Sequence, residues 1–274
     1  MNFHDRVQRI IETKNSLLCV GLDSVIENMP KHIQSSENPL WEFNKAIIDT
    51  TLPHAAAFKV NLAFYEAYGL LGWNALEKTF NYMPNDVLAI ADAKRGDIGN
   101  TARMYARAVF EQLDADAVTV NPYLGKDSAE PFLQDESKGV FFLCLTSNPG
   151  SQDFQYFSDG QTTLYELIAN TVNSWNQKKN CGLVVGATHP DELKRVRNLC
   201  PDLPFLIPGI GAQGGDLHAS VVNGTDASGS LALFNSSRAI LYARQDENFE
   251  TAAAQVARET QQQLNEARTL AGRS

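Results

Sequence analysis

An α/β fold is predicted here, a (β/α)8 TIM barrel of one domain over residues 1–274 with a helix at each end. Three observations predict it. Short apolar runs recur eight times, helical periodicity separates them, and polar residues gather where each run stops. The runs are near-continuous rather than alternating, as expected of a parallel sheet covered on its faces. In order they are residues 17–22, 55–60, 87–91, 117–120, 140–145, 182–185 and 205–207, with 230–234 or the neighbouring 239–241 as the eighth. Val7, Ile10 and Ile11 mark an N-terminal helix. Leu40, Phe43 and Ile47 form one stripe between strands; Leu76, Phe80 and Met83 form another. Tyr105, Val109 and Leu113 make a third, and Leu164, Ile168, Val172 and Trp175 a fourth. Thr188 to Asp191 reads as a capping box ahead of Leu193, Val196 and Leu199. A closing helix is expected near 249–264. Such β–α repeats close into a barrel.

Composition narrows the class of function. The chain has 274 residues, 43% hydrophobic and 20% charged, an ordinary balance for a globular protein with a large core. Its net charge of -9 argues against a broad nucleic-acid or anionic-membrane surface, so cations for an anionic ligand must be local. The N-terminal stretch mixes charges with apolar residues and does not read as a signal peptide. No run approaches the roughly 20 apolar residues of a membrane span. Cys19, Cys144, Cys181 and Cys200 lack metal-ligand spacing and read as reduced core residues, which points to the cytoplasm.

In a barrel of this kind, functional side chains sit where strands end. The expected strand ends carry Asp23, Lys59 with Asn61, Asp92 with Lys94, Asn121, and Thr146 with Ser147. The densest of these is the segment 92–102, which follows the run 87–91. Asp92 and Lys94 are two apart and share a strand face, while Gly96 is expected to turn the chain and bring Asp97 back toward the same space. Alternating lysines and aspartates are costly to bury for structure alone. They make sense where charge must face a reacting group.

Three further segments bear on a ligand. Pro208 to Asp216 contains a literal G-x-G-x-x-G. The dinucleotide fingerprint belongs to a first βα unit, whereas loops after strands seven and eight of barrels bind phosphate through backbone N–H groups. Phosphate binding is therefore favoured over a dinucleotide site or a purely structural turn. Arg238, in the next loop, suits bidentate phosphate contact. The polar loop 147–160 is a candidate lid, with a static surface loop as its alternative. His4, His32, His54, His189 and His218 form no metal-binding pair, and no nucleophile elbow is present, so no metal is expected. Lysine acid–base chemistry, positioned by aspartates, is what remains.

With these motifs in order, the chain resembles the orotidine 5′-phosphate decarboxylase family. The resemblance rests on Asp92-x-Lys94-x-x-Asp97 within 92–102, Phe58 to Asn61 before it, and Pro208 to Gly215 after it. It runs from Gly21 to Arg238, and the insertion at 222–230 suggests the longer-chain, bacterial-type subgroup. It implies a cofactor-free conversion of orotidine 5′-phosphate to UMP and CO₂. It further implies a catalytic tetrad of Lys59, Asp92, Lys94 and Asp97, with Lys94 protonating C6. Asp23 and Lys59 would hold ribose hydroxyls, Ser147 the pyrimidine, and Gln213 and Arg238 the phosphate; Asn61 joins the substrate-binding set. Tyr242 is the nearest candidate for a further phosphate hydroxyl. Asp97 and Thr101 would act in the neighbouring subunit's site, which requires a homodimer. Two alternatives stand beside this. A Mg²⁺-dependent sugar-phosphate enzyme would need a Glu near Asp92, and Ala91 disfavours it. A silent nucleotide-binding barrel would have no need for four close charges.

Overall fold

A computed structural model describes residues 1–210 and 216–273. Eight parallel strands close into a barrel in sequence order: β1 (Leu18–Gly21), β2 (Ala57–Asn61), β3 (Leu88–Arg95), β4 (Ala117–Val120), β5 (Gly139–Leu145), β6 (Cys181–Val185), β7 (Phe205–Pro208) and β8 (Ala232–Ser236). Closure is direct, since β1 pairs with β8 through Leu18 and Phe234. The fold is the TIM barrel expected from the eight apolar runs. Around it lie α1 (Phe3–Lys14), α2 (Pro39–Thr51), α3 (Gly69–Tyr82), α4 (Gly99–Arg107), α5 (Leu164–Trp175), α6 (Pro190–Leu199), α7 (Leu217–Gly224) and α8 (Phe249–Leu270). Between β4 and β5 the short turns Lys126–Ala129 and Glu130–Leu133 stand in for a full helix.

Helix α1 decides which end of the barrel is open. Its apolar stripe Phe3, Val7, Ile10 and Ile11 is buried. Phe3 meets Phe141 edge-on at 5.8 Å, and a Cβ on Gly139 would come within 2.3 Å of the Phe3 ring. Gly139 therefore leaves the space that the ring fills. The Phe3 and His4 amides donate to the Glu136 and Lys179 carbonyls at 2.8 and 3.1 Å. This covers the amino-terminal mouth where β5 and β6 begin, and the polar cavity lies at the opposite end, among the loops at the strands' carboxyl ends. At the chain's other end α8 closes the helical ring, with Phe249 stacked on Phe43 of α2 at 5.5 Å.

Local departures from the expected elements have clear causes. The eighth strand is 232–236; residues 239–241 lie in the short helix Arg238–Leu241, which buries Ile240 and Leu241. An apolar run of three residues suits either state, and pairing with β7 and β1 chooses between them. In α5 the buried face is Tyr165, Ala169 and Val172, with Leu164, Ile168 and Trp175 half-buried, because the helix is rotated toward its Tyr165 side. The capping box forms at Thr163 and Glu166, not at Thr188. Helix α6 has His189 as N-cap without a side-chain capping bond and Pro190 in its first turn. Strand β3 runs past its apolar core as far as Arg95. Among the described residues, no helix is long and apolar enough to cross a membrane.

Candidate active site

The last inward-facing layer of the barrel is where polar side chains replace apolar ones. Lys59 on β2, Asp92 on β3, Thr119 on β4 and Asn235 on β8 face the same cavity as Leu143, Val184 and Leu206. That cavity, ≈ 330 Å³, opens at the carboxyl-terminal mouth. Lys59 and Asp92 are only 4% and 8% exposed, so their charges are almost wholly removed from water. Such burial is tolerable only with close partners of opposite sign.

The partners form a continuous chain. Lys59 Nζ lies 3.3 Å from Asp23 Oδ1 and 3.1 Å from Asp92 Oδ2; Lys94 Nζ lies 2.7 Å from Asp92 Oδ1. Each carboxylate oxygen of Asp92 therefore serves a different ammonium. Burial by itself would push the Asp92 carboxyl up, but Lys59 and Lys94 outweigh it and hold it down at about 2. Burial would likewise lower Lys59, and Asp92 and Asp23 reverse the sign, keeping it above the usual lysine range. Lys94 differs from Lys59 in access. Its side chain is 49% exposed to the cavity mouth, so of the two it is the one a ligand can reach.

Backbone geometry sets that difference. Asp92 and Lys94 reach the same space, but not by simple strand alternation: Lys94 has φ +46°, in the left-handed region. Gly96, expected to turn the chain, has no positive φ; the left-handed residues of this segment are Lys94 and Gly99. Asp97 is not turned back into the cavity; its Oδ1 accepts the Ile98 amide at 2.8 Å. Thr101 is exposed on α4, also outside the cavity of its own barrel. Beside them in the chain, the apolar side chains of Ile98 and Met104 are exposed.

The remaining predicted residues divide clearly. Asp23, Asn61, Ser147 and Arg238 line the cavity with Lys59, Asp92 and Lys94. Asn61 accepts the Ala63 amide through Oδ1. At the base of the 147–160 loop, Thr146 accepts from Gln155 and donates to Asn148, so this rim is tied down by its own side chains. Arg238 stands exposed at the mouth, with no partner for its guanidinium among the described residues. Gln213, with the glycine-rich segment 211–215 around it, lies outside the described residues. Tyr242 does not join the cavity. Its hydroxyl accepts the Val25 amide at 2.7 Å and donates to the Asp23 carbonyl at 3.3 Å, bracing the loop after β1.

Asn235 and Thr119 are among the cavity residues that the sequence did not single out for the site. Asn235 donates to the Ser237 hydroxyl at 3.2 Å, and a Cβ on Gly21 would lie 1.9 Å from that hydroxyl. Gly21 thus makes room for the β8 loop that presents Arg238. Thr119 bonds both Asp92 and the Lys94 backbone. Its only sequence signal is one hydroxyl inside the run 117–120. All four cysteines are free and buried. Among the described residues no cluster of His, Cys, Asp or Glu has the make-up of a metal site.

A parallel barrel with a lysine–aspartate relay and a cationic rim at its carboxyl-terminal mouth belongs to the class of (β/α)8 enzymes acting on small anionic substrates. Residues 16–254 match the model of the orotidine 5′-phosphate decarboxylase / HUMPS family, and the chain belongs to that family. A relative from Dehalococcoides mccartyi, named orotidine 5′-phosphate decarboxylase, is 51% identical over 97% of this chain and 98% of its own. One of the same name from Haloarcula marismortui is 47% identical over 98% of this chain and 100% of its own. The structure of Leishmania donovani OMP decarboxylase superposes with a TM-score of 0.83 at 40% identity, covering 96% of this chain and 99% of that one. Relatives so named are carboxy-lyases.

Proposed function

We propose that this protein decarboxylates orotidine 5′-phosphate to UMP and CO₂, the last step of de novo UMP synthesis, without a cofactor. The observation that carries the reading is the Asp23–Lys59–Asp92–Lys94 chain, with its one accessible ammonium at the mouth. Breaking the C6–CO₂ bond leaves the electron pair on an sp² carbon with no conjugated sink. A fixed ammonium beside C6 stabilises that pair, and Lys94 then delivers a proton to it. Its proton returns from solvent after product leaves. Asp92, ionised and fixed by Lys59, faces the substrate carboxylate. Two such charges about 4 Å apart repel by roughly 4 kcal/mol at an effective dielectric near 20. Loss of CO₂ relieves that repulsion. Arg238 and the loop after Pro208 take the phosphate, whose remote binding energy can be used at the reacting carbon. Asp23 and Lys59 take ribose hydroxyls, Ser147 the pyrimidine, and Asn61 lies beside them.

The same reading makes the working unit a homodimer of single-domain barrels. Asp97 and Thr101 sit outside their own cavity beside exposed apolar side chains, where a second copy would bury them against its site. Four free cysteines suit a reducing, cytoplasmic setting.

The test follows loss of the orotate absorbance in chelator-treated enzyme. Turnover is expected to persist undiminished after chelation. A folded protein that does not turn over orotidine 5′-phosphate, or that needs Mg²⁺ to do so, overturns the proposal. Shared sites are tested by mixing inactive Lys59→Ala and Asp97→Ala proteins. Half of the randomly paired dimers then carry one intact site, so about a quarter of wild-type activity is expected to return. No recovery after verified subunit exchange refutes the contribution of Asp97 in trans.

A further inference from the structure

We propose that Thr119 is a positioning residue for the reaction, its hydroxyl holding Asp92 and the Lys94 backbone in one arrangement; this rests on the decarboxylase reading above. The ladder between β3 and β4 slips at this point. Ala91 pairs with Val118 and Arg95 with Val120, so Asp92, Ala93 and Lys94 on one strand face Thr119 alone on the other. A bulge of that size leaves backbone donors without ladder partners. The Lys94 amide is one of them, and it donates to Thr119 Oγ1 at 2.9 Å. The same hydroxyl donates its proton to Asp92 Oδ1, also at 2.9 Å.

One hydroxyl has one proton and can accept while donating, so both capacities are used. The arrangement has a direction. Because the proton goes to Asp92, Asp92 is bound as the carboxylate, the form its two lysines also favour. Because the oxygen receives the Lys94 amide, it holds a non-glycine residue in the left-handed region, a conformation that persists only where its surroundings impose it. Thr119 is 1% exposed, so water cannot readily replace it. Its position thus couples where the Asp92 charge sits to where the Lys94 chain begins. The phosphate and ribose contacts proposed for Arg238 and Asp23 lie on other strands' loops and do not pass through Thr119.

The experiment compares wild type with Thr119→Val, which keeps the shape and removes the hydroxyl, and Thr119→Ser, which keeps the hydroxyl. It measures kcat, KM and amide hydrogen exchange at Lys94. For a hydrogen bond to a charged group, Thr119→Val is expected to lower kcat by at least about tenfold with KM changed by less than about threefold. The Lys94 amide should lose its protection in Thr119→Val and keep it in Thr119→Ser, whose kcat should recover to within about threefold of wild type. Several outcomes overturn the proposal: Thr119→Val as fast as wild type, Thr119→Ser as slow as Thr119→Val, a loss confined to KM, or equal protection in all three proteins. If wild type does not decarboxylate orotidine 5′-phosphate, the functional reading fails by itself. Exchange at Lys94 then decides alone: protection kept in Thr119→Val overturns the positioning role, and protection lost supports it.

Discussion

Alanine in place of Lys94 is expected to abolish turnover of orotidine 5′-phosphate while leaving the barrel folded. Lys94 is half exposed and, among the described residues, its ammonium is bonded only to Asp92. Asp92 retains Lys59 at 3.1 Å and the Thr119 hydroxyl at 2.9 Å, so no buried carboxylate is orphaned. The stability cost should therefore be no more than about 1 kcal/mol. Catalysis loses two things together. Positioned proton transfer contributes on the order of 10²–10⁴-fold, and removal of a charge-stabilising donor costs on the order of 10²–10³-fold. A fall in kcat of at least about 10⁴-fold is expected, read by absorbance, with circular dichroism and UMP binding showing an intact fold. Turnover within about tenfold of wild type would remove Lys94 as the acid.

Asp92→Ala should behave differently, because it damages the fold and the chemistry at once. Lys59 is 4% exposed and, among the described residues, would keep only Asp23 as an ion-pair partner, at 3.3 Å. Removing one partner from a buried ion pair typically costs about 3–5 kcal/mol. The acid limb gives a second signature. The native Asp92 carboxyl is held at about 2 against an ordinary 3.8. A depressed carboxyl stabilises the native state fully above its unfolded value, and that stability drains away as pH falls through the folded value. Wild type should thus lose about 2 kcal/mol from this group between pH 4 and pH 2. Urea unfolding at pH 7, pH 4 and pH 2 checks both points. The variant should be markedly weaker at pH 7 and should lack this part of the acid-induced decline. Equal stability at pH 7, or an unchanged decline toward acid, would show that the pair is not the stabilising contact argued here. Decarboxylation should be lost in the same variant.

Most of the barrel is legible in the chain because strand and helix signals are local. Eight apolar runs map onto eight strands, and the stripe Leu40, Phe43 and Ile47 is buried as a helix face. Where a signal was short, two placements of the eighth strand stayed open. Residues 239–241 form a helical turn because β8 already fills the place between β7 and β1. The candidate site was legible for a related reason. In a parallel barrel every strand's carboxyl end faces one mouth, so Asp23, Lys59, Asp92, Ser147 and Arg238 converge without any long-range inference.

What the chain by itself determined is therefore the barrel, its polar mouth and the identity of the charges gathered there. Tertiary structure alone decided how those charges are arranged. The slip between β3 and β4 puts Lys94 in a left-handed bend and leaves Asp97 directed away from its own cavity. Thr119 became a site residue only because it faces that slip from another strand, 25 and 27 positions from the groups it binds. Periodicity reports how a side chain faces its own element, whereas register and ion pairing are set between elements, where no local pattern records them.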